Sequence, residues 1–346
     1  MKQEASARQV RPVRVMFGGD VMLGRNVKES ILRYGPGYPL GPIAPLMRAS
    51  DLAIVNLECA LTASLERWPG LPKAYYFGAP PLAAVVLSDA GIGLVSLANN
   101  HVLDYGEQGL RDTLRLLGEL GIALAGAGPD LAQARSAAIV DCGGTRFGMA
   151  AFCDHQPDFA AYDGRPGIAY LDLDDEAAAL RVLRESLAPL LRAAVDWPIL
   201  SLHWGPNMVR RPTARFRRIA HAAIDMGWKI LFGHSAHVFH GVELYRGCPI
   251  LYAAGDLVDD YHVDPAFRND HQLLFELELE KRALHRIALY PVLIARCQAR
   301  LATGDSERYI ADQVTALCAE FGTPVRQSDG RILIEGVNEG ASHSRS

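Results

Sequence analysis

No two of the six cysteines are spaced as Cys-x-x-Cys: Cys59, Cys142, Cys153, Cys248, Cys297 and Cys318 stand apart along 346 residues. That scatter excludes a zinc ribbon and leaves no disulfide framework, so the thiols read as small buried hydrophobes. A basic excess is missing too. With 35 Lys and Arg against 39 Asp and Glu, the net charge is -4, which supplies no field for gripping a phosphate backbone, and nucleic acid is not an expected partner. No stretch approaches the ~18–20 uninterrupted apolar residues of a membrane span. The polar run from Met1 to Arg14 lacks the apolar centre of a signal peptide. Direct membrane insertion is therefore not expected, and the expected compartment is the cytoplasm. Internal repeats and low-complexity linkers are absent as well.

What is present is an ordinary globular composition, 49% apolar and 21% charged, patterned as alternating short apolar runs and helical periods. Residues 13–18, 52–56, 92–98, 122–125, 199–203 and 229–233 read as strands. Residues 42–48, 81–90, 108–120, 175–194 and 213–226 read as the helices between them. Such alternation predicts an α/β core with parallel strands. A second texture follows: 136–141, 146–152, 242–245, 250–253, 272–278 and 284–289 read as β-hairpins, with turns at Gly143-Gly144 and Arg246-Gly247. A helix over 306–321 and the strand Arg331–Glu335 close the chain. One domain over 12–300 is expected, with a helix–strand appendage over 301–337 packed on it. The first ten residues and the tail from about Asn338 read as disordered ends.

In open α/β sheets ligands bind beyond the carboxyl ends of the strands, and nearly every predicted strand here ends in metal-ligand chemistry. The ends are Gly19-Asp20, Asn56-Leu57-Glu58, Asn99-Asn100-His101 with Asp104, His203-Trp204-Gly205, Gly233-His234-Ser235-Ala236-His237 and Gly255-Asp256. Taken singly, each has a structural alternative. Asp20 suits a helix cap, the Asn pair and Asp256 suit turns, and a lone His203 suits a hydrogen-bonded core position. Six agreeing ends are another matter. Carboxylates, amide oxygens and imidazoles without thiolates suit one or two divalent ions of the Zn, Mn or Fe kind.

At these residues the chain resembles the CapA/PgsA family, named for poly-γ-glutamate capsule synthesis, within the calcineurin-like metallophosphoesterase superfamily. The resemblance runs from Gly19-Asp20-Val21-Met22-Leu23-Gly24-Arg25 through the Gly-His-x-x-His of 233–237 and covers about residues 13 to 290. It implies a four-layer α/β/β/α sandwich of the metallo-dependent phosphatase type, holding two metals. Asp20 and His237 would serve one metal, Asn100, His203 and His234 the other, and Glu58 would bridge them. His101 would be the general acid/base, oriented by Asp104. The pattern departs from the superfamily at Met22, where a histidine is usual, at Glu58 in place of Asp, at Gly-His-Ser-Ala-His and at Asp256 in place of Asn. These departures leave one metal site weak, rebuilt with Asp256, or empty.

Three functions follow as expectations. The first is metal-dependent hydrolysis of a phosphoester or of an amide such as a γ-glutamyl bond, on a small-molecule or peptide substrate. Arg25, Lys73 and Arg210 are then candidates for holding an anionic substrate, Arg211 reads as a solvated loop charge, and residues 61–79, with Trp68, Tyr75 and Tyr76, read as a lid or an ordered capping loop. The second is Cα epimerisation of a peptide, with base and acid drawn from Asp20, His101 or His262. The third is a non-catalytic capsule-assembly component that binds polyglutamate.

Overall fold

The computed structural model describes residues 11–336; the two chain ends read above as disordered lie outside the described residues, as does residue 337. Two β-sheets lie face to face with helices on their outer sides, the four-layer α/β/β/α arrangement. The larger sheet has ten strands and the smaller six. In the larger, Val13–Val21, Leu52–Leu57, Ile92–Ser96 and Ala123–Ala125 run parallel in that order. The antiparallel strands His271–Glu280 and Ala283–Ala295 continue the sheet beyond Val13–Val21. In the smaller, Thr145–Cys153, Trp197–His203, Ile230–His234 and Cys248–Leu251 are parallel, with antiparallel edges at Ala138–Cys142 and Val242–Tyr245.

Burial accounts for the sequence texture of these strands. Leu52–Leu57 and Trp197–His203 are buried at every position, the pattern of strands covered on both faces. Phe17 and Phe232 meet between the sheets with ring centroids 5.2 Å apart. On the outer side of the smaller sheet, Glu176–Arg192 and Ala214–Met226 bury Leu183, Leu187, Leu190, Ile219 and Ala223 against Leu200 and Leu202. Both helices start at side-chain caps: Asp175 accepts from the Ala178 amide and Thr213 from the Phe216 amide. The C-terminal helix Asp305–Ala319 buries Ile310, Val314 and Leu317, and Arg331–Glu335 pairs with Ala283–Ala295. None of the six cysteines is joined in a disulfide, and four of them are buried. No helix among the described residues is long and apolar enough to cross a membrane.

Some local structure was not legible from periodicity. The helix Arg25–Tyr34 buries only Val27 and Ile31, too narrow a stripe to stand out. Residues 81–90 form a 3₁₀ turn, Pro81–Ala83, leading into a short helix, Ala84–Asp89. The strand read over 146–152 belongs to a hairpin as expected, but it also pairs in parallel with Trp197–His203.

The centre of the larger sheet is packed backbone to backbone. The Asp20 amide donates to the Gly255 carbonyl at 2.9 Å, and a Cβ on Gly19 would stand 1.8 Å from that same oxygen. Gly118, by contrast, is exposed near the end of the helix Gly106–Glu119 with open space around it. Gly19→Ala is expected to cost about 3 kcal/mol or to block folding, because backbone cannot move aside as a side chain can. Gly118→Ala is expected to stabilise by about 0.5–1 kcal/mol. Equal denaturant midpoints for the two variants would contradict the close junction at Asp20.

Candidate metal centre

Strand register sets the polar residues side by side. Across the larger sheet Asp20 pairs with Asn56 on one side and Asp256 on the other. Across the smaller, His203 pairs with His234 and with Cys153. Beyond Ile230–His234 the chain turns back through left-handed backbone, with φ of 95° at Ser235 and 58° at His237. Such a conformation costs a non-glycine residue on the order of 1 kcal/mol or more. It aims the Ser235 amide at Asp20 Oδ2, 3.1 Å away, and returns His237 to the same carboxylate, 3.8 Å from Oδ2.

Two groups of potential ligand atoms result, each with all members within 4.8 Å of one another: Asp20, His203 and His234, and Asp20, Glu58, His237 and Asp256. Asn100 Oδ1 joins the first, 3.0 Å from His203 Nε2. Asp20 is common to both groups. Glu58, the bridge that the resemblance implied, sits in the second group with Oε1 3.7 Å from His203 in the first. The arrangement is braced from behind. Asn56 donates to Asp20 Oδ1 at 2.7 Å, Ser201 Oγ lies 2.9 Å from His234 Nε2, and Tyr261 donates to Glu58 Oε2 at 3.1 Å.

The electrostatics fit a divalent cation. Asp20, Glu58 and Asp256 are at most 1% exposed. Burial drives the proton affinity of all three upward, that of Asp20 to about 6, and Asp20 raises Glu58 and Asp256 further. Asp256 Oδ2 has no hydrogen-bond partner although it is buried. Three carboxylates desolvated together are costly unless positive charge lies between them. Burial lowers His203 and His234, the latter to about 3, so both are neutral, which is the ligating form. Met22 contributes no ligand: it is fully buried, and its sulfur accepts from the Gly24 amide at 3.1 Å.

Next to Asn100, His101 Nδ1 is 2.5 Å from Asp104 Oδ2, and its ring stacks on Phe77 with centroids 3.8 Å apart. Burial lowers His101 to about 4, against the opposing pull of Asp104. A proton on Nδ1 directed at Asp104 leaves the Nε2 lone pair for proton transfer.

The expected substrate-holding cations are all engaged. Arg25 Nε is 3.3 Å from Asp260 Oδ1 and lies over Tyr75. Lys73 pairs with Asp104 at 2.5 Å. Arg210 donates to the Ala266 and Phe267 carbonyls, and Arg211 forms a surface pair with Glu320. His262 is exposed. Sequence reasoning missed His155, whose Nε2 is 2.9 Å from the Gly205 carbonyl and 3.0 Å from Ser235 Oγ, and whose ring stands edge-on to His203. The signal is present: Cys153-Asp154-His155 is one more carboxyl end of a parallel strand, but the sequence marks that strand only as half of a hairpin. Tyr261 and Asp259 were also missed, and no spacing in the sequence marks them.

Neutral burial of His234 makes a pH prediction. Its folded-state value of about 3 lies below the ordinary 6.5, so on acidification the unfolded chain takes up the proton first. The contribution of the neutral ring is whole above pH 6.5 and is lost as the pH falls from there toward 3. In chelator-treated protein, the stability advantage of wild type over His234→Gln is expected to shrink by roughly 1.4 kcal/mol per pH unit below 6.5. A gap that stays constant from pH 7.5 to 4.5 in denaturant titrations would contradict a neutral, buried ring.

Comparison with known proteins agrees with the motifs. The family model described as bacterial capsule synthesis protein PGA_cap matches residues 14–261. A probable polyglutamine synthesis accessory protein of Mycobacterium tuberculosis is 31% identical over 370 aligned positions, covering 93% of this chain and 95% of that protein. The PGA biosynthesis protein CapA of Bacillus subtilis is 28% identical over 281 positions, covering 80% of this chain and 70% of the relative. Among solved structures, the calcineurin-like phosphoesterase YfkN of Bacillus subtilis aligns with a TM-score of 0.45 at 11% identity, over 90% of this chain and 97% of that one. The chain belongs to the PGA_cap family of bacterial capsule synthesis proteins.

Proposed function

We propose that the protein is a divalent-metal-dependent hydrolase acting on an anionic substrate, a phosphoester or a γ-glutamyl amide. The observation that carries this reading is the Asp20 carboxylate common to two ligand groups, with the His101–Asp104 pair beside them. The names of the relatives, which refer to polyglutamine and PGA synthesis, favour the glutamyl amide.

The residues divide the work. His203, His234 and Asn100, with Asp20, would hold one ion, and Asp20, Glu58, His237 and Asp256 the other. The first set is rich in imidazole and suits Zn or Fe, whereas the second is mostly carboxylate and suits Mn. Bound there, such ions supply Lewis acidity toward a phosphoryl or carbonyl oxygen and toward a water. Asn56, the Ser235 amide and Tyr261 fix the carboxylates so that no reorganisation is needed during reaction. His101, neutral near pH 7, takes a proton on Nε2 and returns it to the leaving group while Asp104 holds Nδ1.

The test is a panel of phosphoesters and γ-glutamyl peptides, assayed with Zn, Mn and Fe(II). Cleavage is expected to stop with chelator, to incorporate oxygen from labelled water and to fall on the order of 100-fold or more in His234→Ala. Two other outcomes overturn the hydrolase reading. Deuterium appearing at a peptide Cα without chain cleavage would assign metal-dependent epimerisation to the same residues. Metal-dependent binding of polyglutamate with no turnover of any kind would assign an assembly role.

A further inference from the structure

Residues 62–77 carry neither helix nor strand and expose Leu65, Leu71 and Tyr75 at 89%, 75% and 59%. Yet the side chain of Lys73, in the middle of this segment, is only 10% exposed. A lysine so buried requires partners for its charge. Its ammonium is 2.5 Å from Asp104 Oδ1, donates to the Asn100 carbonyl, lies 3.4 Å from His101 Nδ1 and stands over the Phe159 ring. An ammonium has three N–H groups. Two oxygen acceptors and the His101 and Phe159 rings surround it, so the ammonium is engaged by the protein itself.

The same segment reaches Asp104 twice more. The Phe77 amide donates to Asp104 Oδ2 at 2.7 Å, and the Trp68 amide donates to the Asp104 carbonyl at 2.9 Å. Asp104 therefore offers Oδ1 to Lys73 and Oδ2 to His101, with the second oxygen shared by a backbone amide. The Asn100 carbonyl held by Lys73 belongs to the residue whose side chain meets His203. One ammonium thus ties the proton-transfer pair to a candidate ligand.

We propose that Lys73 is a positioning residue, which clamps the Asp104 carboxylate and the Asn100 carbonyl together and thereby holds His101 and the Asn100 side chain in one arrangement. Its effect on turnover rests on the hydrolase reading; its effect on the His101 hydrogen bond does not. Without the ammonium, Asp104 Oδ1 loses its charged partner, the carboxylate is held at Oδ2 alone, and the orientation of the His101 ring is less firmly fixed. One irregular segment thus delivers both Lys73 and Phe77 to the His101–Asp104 pair.

Two measurements on the full chain, using Lys73→Gln and Lys73→Arg, decide the matter. In steady-state assays of metal-loaded protein, Lys73→Gln is expected to lower kcat roughly 10–100-fold, with KM and metal content unchanged, and Lys73→Arg to recover part of the loss. A raised KM at unchanged kcat would make Lys73 a substrate contact and overturn the proposal. In nitrogen-15 histidine spectra, wild type is expected to show a slowly exchanging His101 Nδ1–H, retained in Lys73→Arg and lost in Lys73→Gln. The His203 and His234 signals should persist in both. An unchanged Nδ1–H in Lys73→Gln would reduce Lys73 to a purely structural pin. If wild type turns over no substrate, the spectra alone decide, and if Lys73→Gln fails to fold, loss of the Nδ1–H in Lys73→Arg contradicts the clamp.

Discussion

A carboxylate with no exposed surface stands where the two sheets meet, and the rest of the site is arranged about it. Asp20 receives the Asn56 side chain at one oxygen and the Ser235 amide at the other. His234 and His237 approach it from the smaller sheet at 3.5 and 3.8 Å, and Asp256 flanks it in the larger sheet. Two hydrogen bonds do not compensate an anion for the loss of water, and burial raises the Asp20 proton affinity. The local costs follow from that constraint: left-handed backbone at Ser235 and His237, and glycine at position 19, where a side chain would strike the Gly255 carbonyl. A fold that accepts these costs at one sheet edge has a polar site to keep there.

Two residues that set this sequence apart from the pattern it resembles become intelligible in the same geometry. Met22 turns its sulfur to a backbone amide and adds no imidazole to the candidate ligand groups. Asp256 lies in register with Asp20 and close to His237, 2.9 Å from its Nδ1. The second ligand group is thereby mostly carboxylate and the first mostly imidazole, so two ions held here would sit in unlike surroundings.

Much of this was legible in the sequence because the governing rule is simple: parallel strands point their carboxyl ends at the ligand. Asp20, Glu58, Asn100, His203, His234 and Asp256 all follow immediately on apolar runs. His155 obeys the same rule but is harder to see, because Gly143-Gly144 signals the antiparallel partner of Thr145–Cys153 and nothing nearby in sequence signals its parallel one. Lys73 and Tyr261 were a different problem. They reach the site from irregular segments, where no periodicity says which way a side chain points. A lysine near a cluster of candidate metal ligands reads naturally as an anion clamp, whereas in the fold its ammonium is already committed to Asp104. Arg210 likewise spends its guanidinium on two loop carbonyls.

The central claim is that one carboxylate serves two metal positions, and the number of ions bound per chain tests it directly. Elemental analysis after dialysis against buffered Mn and Zn is predicted to give two equivalents for wild type. Asp20→Asn, which keeps the size of the side chain but removes its charge, should lose both. One equivalent retained in Asp20→Asn, or no metal in the wild type, would contradict the shared-carboxylate account.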